Sequence, residues 1–115
     1  MKWRRVCCMP VINRFGPLDQ ELEKNEFINL TIDEYETIRL IDLEGLTQEE
    51  CADQMSVART TVQGIYVQAR KQIAEALVNG KILTITGGEY QLCGEFGMGC
   101  RRGCHKRKKE CFNNH

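Results

Sequence analysis

The sequence predicts a mainly α fold: a trihelical helix-turn-helix unit carrying a small β element and a cysteine-rich C-terminal tail. Three observations predict it. Residues 48–65, QEECADQMSVARTTVQGI, set Cys51, Ala52, Met55, Val57, Val62 and Ile65 where two short helices crossing steeply must touch. Ala52 is the tightest point, because only a small side chain lets the second helix cross so near the first. Two T-x-x-E segments, Thr31–Glu34 and Thr47–Glu50, have the form of capping boxes that open helices. Beyond Leu92 aliphatic residues give way to Gly, Cys and base, so this stretch forms no core of its own.

The elements follow in order. Residues 1–30 lack helical periodicity and read as an extended N-terminal segment, with RVCCMPVINRF resembling a strand ended by Gly16-Pro17. Residues 31–90 form the helix-turn-helix domain. Its first helix starts at Thr31, turns Ile32, Tyr35, Ile38 and Leu40 or Ile41 inward, and stops near Gly45, which suits a left-handed turn. The second runs from Thr47 to about Met55. The third begins near Arg59 and reaches Asn79-Gly80, with Val62, Ile65, Tyr66, Ala69, Ile73, Ala76 and Leu77 as one apolar stripe. That stripe is longer than two short helices can cover, so the part from Ile73 onward is expected to pack the N-terminal segment or a second subunit. KILTITGGEY is a short alternating strand followed by a Gly-Gly turn, and Ile82 to Thr86 is expected to pair with the N-terminal segment. Residues 91–115 are the basic, Cys-rich tail.

The chain has 115 residues, 42% hydrophobic and 28% charged, with a formal net charge of zero. This is globular composition, and no apolar run approaches the roughly 18 residues of a membrane span. We read the protein as cytoplasmic. Seven cysteines then point to metal or redox chemistry rather than a disulfide framework. Neutral charge hides an uneven distribution. Between Thr31 and Ser56 eight acids face Arg39 alone, a local charge of −7, whereas Val57 to Lys81 carries +3 and Ile82 to His115 another +3. Phosphate affinity follows local potential, so a neutral total leaves nucleic acid open as a partner.

The outer face of the third helix is the candidate reading surface. Arg59, Thr60, Thr61, Gln63, Gly64 and Gln68 lie on or beside the face opposite the stripe, and Lys71 extends it. Arginine pairs bidentately with guanine and glutamine with adenine, while threonine offers a hydroxyl or a methyl. Gly64 would let the backbone approach double-stranded DNA closely. The blander reading is an ordinary polar helix face that tolerates a glycine at about 1 kcal/mol.

L-T-x-D-E, then IRLIDLEGLTQEECADQMSVARTTVQGI, then ARKQIAEALVNGKILTITGGEY resemble the uncharacterised prokaryotic family called domain of unknown function 134. Its helix-turn-helix is similar to region 4 of sigma-70 factors, which binds promoter DNA. The resemblance spans about residues 2–90 and brings no established function. It implies the fold and DNA binding, with Arg59, Thr60, Thr61, Gln63 and Gly64 at groove-facing positions. Two residues depart from the pattern. Ser56 stands where the turn usually has glycine, which requires a left-handed non-glycine or a different turn. Ala58 stands where Ser or Thr normally caps the recognition helix, a loss of roughly 1 kcal/mol.

Cys93, Cys100, Cys104 and Cys111 give C-x6-C-x3-C-x6-C in the tail. Four thiolates suit tetrahedral zinc or an iron–sulfur cluster, and the spacing does not separate the two. A basic tail touching phosphates, or a redox-active one without metal, would use the same residues. Cys7 and Cys8 are adjacent, so in a strand they point to opposite faces and one is expected in the core; they could also join the tail's site. Cys51 is read as core. Trp3, Arg4 and Arg5 read either as an arm reaching a groove or as a terminus with a packed tryptophan. No catalytic constellation is present: the carboxylates are placed on solvated helix faces and both histidines lie in the tail. The sequence therefore points to a non-enzymatic DNA-binding regulator, homodimeric because one recognition helix contacts few base pairs. The alternative is a metal-binding adaptor that uses its acidic 31–56 surface to dock a protein.

Overall fold

The computed structural model describes residues 4–18 and 26–92. It orders them as β1 (Arg4–Val6), β2 (Arg14–Phe15), β3 (Phe27–Leu30), α1 (Ile32–Ile38), a π-helical turn (Arg39–Leu43), α2 (Gln48–Met55), α3 (Arg59–Asn79), β4 (Ile82–Ile85) and β5 (Tyr90–Leu92).

Local chemistry sets the helix boundaries. Thr31 and Thr47 both close capping boxes. The Thr31 N–H donates to Glu34 Oε1 at 2.9 Å, and Thr47 N–H donates to Glu50 Oε1 at 2.9 Å. Their hydroxyls accept from the Glu34 and Glu50 amides in return. Gly80 ends α3 in the left-handed region at φ 66°, and Gly45 follows the π-turn at φ 84°. Between α2 and α3 the chain turns in three residues, 56–58. Ser56 adopts the left-handed conformation at φ 60°, ψ 44°, so the glycine-less turn keeps its shape with serine in it. Ala58 occupies the N-cap of α3 without a side-chain hydrogen bond, as expected.

Two core clusters divide the work. Leu40, Leu46, Cys51, Ala52, Met55 and Val62 join the π-turn, α2 and the start of α3. Ala52 is buried at the crossing, where the Val57 N–H donates to its carbonyl at 3.1 Å. Val6, Leu30, Ile32, Ala69 and Ile85 form the second cluster, in which strands meet α1 and the middle of α3. The apolar stripe of α3 thus serves both clusters, but it ends sooner than expected. Leu77 is 80% exposed, and Ile73, Ala76 and Leu77 line a groove of about 400 Å³ shared with Phe15 and Pro17. The N-terminal segment is therefore one wall beside the surplus stripe.

The β element is larger than the sequence suggests. As expected, the N-terminal segment pairs with β4: β2 is antiparallel to it, Arg14 opposite Thr84. β3 lies parallel on the other side, from Phe27 opposite Ile82 to Leu30 opposite Ile85, and was not foreseen. A second, two-stranded sheet pairs β1 with β5 in parallel, Val6 opposite Leu92. Instead of one strand, RVCCMPVINRF holds two short ones separated by irregular chain.

The first helix also departs from expectation in its charges. Asp33 and Glu36, expected on a solvated face, are buried. Glu36 accepts from Arg39 Nε at 2.9 Å and Nη2 at 2.8 Å, and from the Cys7 amide at 3.1 Å. Arg39 also reaches Glu44 at 3.5 Å. Burial of these acids is possible because each charge meets a cation; Asp33 lies 3.7 Å from Arg4. Arg4 and Arg5 are not an arm. They belong to β1, with Arg5 buried and Arg4 bound to Glu89 at 2.7 Å. Trp3 lies outside the described residues.

Candidate nucleic-acid interface

The first half of α3 presents a broad exposed face. Buried Val62, Ala69 and Ala76 recur every seven residues and fix the inner line of the helix. At 100° per residue, Thr60, Gly64 and Lys71 fall near the opposite line, with Gln63 and Gln68 flanking it. Arg59, Thr60, Gln63, Gly64, Gln68 and Lys71 are all exposed, whereas Thr61 is half-buried at the edge. The structure thus brings six of the seven residues named from sequence onto one open surface and sets Thr61 at its margin.

Gly64 is the most telling of them. A Cβ built there meets nothing within 4 Å, so no packing inside the described chain calls for glycine. Glycine in a helix interior is destabilising by about 1 kcal/mol relative to alanine. The same face holds Val67, 60% exposed, which the sequence reading passed over. Its signal was available: it lies three residues after Gly64 and four before Lys71, off the apolar stripe. A branched aliphatic side chain there could contact a thymine methyl.

Arg70, next to this face, is occupied. Its guanidinium lies 5.2 Å over the Tyr66 ring and its Nε is 3.7 Å from Asp42 Oδ2. The Tyr66 hydroxyl donates to Asp42 Oδ1 at 2.7 Å, and this bond holds the phenol above its ordinary pKa. The trio ties the π-turn to α3 and spends the Arg70 charge on the scaffold. Among the described residues, Arg59 and Lys71 are left as the cations of the exposed face. The acids Glu49, Glu50 and Asp53 are exposed on α2.

The cysteines separate into two groups. Cys51 is completely buried, as expected; burial, with the Glu36 carboxylate as a second cause, pushes its thiol up to about 12. Its Sγ lies 3.7 Å from Met55 Sδ. Cys7 is buried and Cys8 half-buried, in keeping with one core cysteine of the pair. Cys7 is disulfide-bonded, a departure from the expectation that the cysteines serve metal or redox chemistry rather than disulfides. Cys93, Cys100, Cys104 and Cys111 lie outside the described residues. Among the described residues, no three His, Cys, Asp or Glu side chains converge as metal ligands. Also among them, no helix is long and apolar enough to cross a membrane.

Comparison with known proteins identifies a family. The model described as "Protein of unknown function DUF134" matches residues 1–93. A UPF0251 protein of Desulfitobacterium hafniense (strain Y51) is 65% identical over 95% of this chain and 87% of its own length. A UPF0251 protein of Caldanaerobacter subterraneus subsp. tengcongensis is 50% identical over 82% of this chain and 80% of its own. One from Halothermothrix orenii is 43% identical over 99% and 84%. No solved structure matches the chain.

Proposed function

We propose, from the premise that this chain belongs to the family described as protein of unknown function DUF134, that it is a sequence-specific DNA-binding regulator of the cytoplasm, working by binding and not by catalysis. In this reading α2, the 56–58 turn and α3 are a helix-turn-helix similar to sigma-70 region 4, and α3 enters the major groove. The observation that carries it is Gly64, an exposed helix-interior glycine with no neighbour among the described residues to make room for. Around it stand Arg59, Thr60, Gln63 and Gln68, which can read base edges, with Lys71 toward the backbone. Thr61, at the margin, is the side chain with least reach. Val67 adds an apolar contact. Two copies would engage two half-sites, since one helix reads too few base pairs for specificity.

The test is selection of bound duplexes from fragmented genomic DNA at near-physiological salt, followed by titration of the selected site. Enrichment of a shared site is expected. Arg59→Ala or Gln63→Ala should each weaken that site by about 1–3 kcal/mol and relax preference at one base position. Lys71→Ala should weaken all sequences alike and reduce the salt slope by about one. Equal retention of every fragment, with no effect of Arg59→Ala or Gln63→Ala, overturns the proposal in favour of a protein-docking adaptor.

A further inference from the structure

We propose that the apolar groove between β2 and the C-terminal end of α3 is where a second copy of this chain docks, about a two-fold axis. The inference deepens the reading of α3 as a DNA reader, because it names the contact that places two such helices. The surface itself is argued without DNA. Phe15, Pro17, Ile73, Ala76 and Leu77 line a groove of about 400 Å³. A second hollow of about 320 Å³ shares Phe15 and Pro17 and extends the same face to Leu18 and Phe27.

Area is the first support. Leu18 is fully exposed, Leu77 is 80% exposed, and Phe15 and Phe27 are each more than half exposed. At about 200 Å² for a side chain of this size, the four leave on the order of 500 Å² of apolar surface in water. Monomers rarely leave a contiguous apolar patch larger than a few hundred Å². Covering it on two copies buries roughly 1,000 Å², the threshold for a specific interface, and half-buried Pro17, Ile73 and Leu83 add to it. A two-fold contact uses the same patch on both copies, so each fully exposed Leu18 can enter the other's groove.

Charge is the second support, and it favours a second copy over a charged partner. Arg14 and Lys81 stand at the rim of the two hollows. Glu26 and Glu75 each hold Lys81 Nζ at 3.0 Å. The two cations and two carboxylates cancel, so among the described residues the rim sets no net like charge against its own image.

Geometry is the third. At 100° per residue Leu77 lies about 120° around α3 from Lys71, so a contact there leaves the exposed face of Gly64 and Lys71 open. Gly64 stands thirteen residues before Leu77, about 20 Å of helix. Two copies joined at Leu77 set their Gly64 positions on the order of 40 Å apart with α3 antiparallel to its partner, and closer where the helices cross. That range includes the 34–36 Å between half-sites one DNA turn apart.

The experiment is sedimentation equilibrium of the full chain without DNA, across about 1–100 μM, the range a modest interface calls for. A reversible dimer is expected. Leu18→Glu and Leu77→Glu should each weaken it by at least about tenfold, since a two-fold interface carries each change twice. Both positions are exposed, so circular dichroism and melting of the variants should match wild type. Val67→Glu, on the exposed face of α3, should leave the dimer unchanged. A wild-type monomer throughout overturns the inference; lower melting in the variants would then give the groove to a segment of this chain, and equal melting to a different protein. A dimer indifferent to Leu18→Glu and Leu77→Glu overturns it too, as does one that persists in denaturing, non-reducing electrophoresis and is therefore covalent. A dimer broken by these variants, with no DNA site selected, upholds this surface and removes only the DNA reading. Where a site is selected, half-sites one turn apart are expected, and half-sites two turns apart, about 68 Å, lie beyond this dimer's reach and overturn it.

Discussion

Replacing Glu36 by alanine should be among the most damaging single changes in the helical core. Its carboxylate is 2% exposed and accepts three hydrogen bonds, two from Arg39 and one from the Cys7 amide. Deleting it takes two short hydrogen bonds from the Arg39 guanidinium, whose side chain is 10% exposed and which also meets Glu44 at 3.5 Å. Breaking a buried pair by removing one partner costs about 3–5 kcal/mol, chiefly the uncompensated charge. The orphaned Cys7 amide adds to this, since an unsatisfied buried donor costs about 1–3 kcal/mol. Arg39 can swing toward Glu44 or toward water, so about 3–5 kcal/mol is the expected total, set against the 5–15 kcal/mol of a typical domain. Urea unfolding followed by circular dichroism reads it as a shift in midpoint at constant slope. Arg39→Met isolates the charge. In that background Glu36→Leu should cost less than about half as much, because two apolar groups then replace a matched pair. A loss below 1 kcal/mol for Glu36→Ala, or the same loss with and without Arg39, would refute the account.

Three further outcomes are expected. Ala58→Ser supplies the missing cap of α3 at an exposed position and should stabilise by about 1 kcal/mol in the same urea assay; no gain would mean the α3 amides are already satisfied. Gly88→Ala should destabilise by about 2–5 kcal/mol, because φ is 101° and the new Cβ would overlap Asp33 Oδ1 and stand 2.8 Å from Thr31 Cβ. A melting temperature equal to wild type would show that the 87–88 turn yields freely. Stability should also fall with pH above about 9. Burial raises the Cys51 thiol from 9.0 to about 12, so between those values the folded chain keeps a proton that the unfolded chain releases, and folding loses up to about 1.4 kcal/mol per pH unit. Cys51→Ala would remove that slope; an unchanged slope would assign it elsewhere.

The helical frame was legible in the sequence because its signals are local. A capping box is closed by residues three apart, and the Asn79-Gly80 stop needs only a left-handed glycine. The three-residue turn, the crossing at Ala52 and the buried Cys51 follow from spacing alone. So does the exposure of Arg59, Gln63, Gly64, Gln68 and Lys71, since a seven-residue recurrence of Val62, Ala69 and Ala76 leaves them no other side.

What escaped is non-local. β3 pairs parallel with β4 across more than fifty residues, and four-residue strands carry too little pattern to announce a partner. Asp33 and Glu36 looked solvated because charge in a helix usually is; only the approach of β1 and the fold-back of Arg39 make their burial tolerable. Leu77 followed the stripe by periodicity, yet it is exposed because β2 and Pro17 form a wall beside it without covering it. Arg70 contributes to the positive charge of 57–81 by composition, but Asp42 and Tyr66 hold its guanidinium. Helix ends, turn and the exposed face of α3 depend on neighbours within a few residues and were set by sequence alone. Pairing, buried charge and the spending of each cation depend on chain segments far apart in sequence, and only tertiary structure decides which of those segments meet.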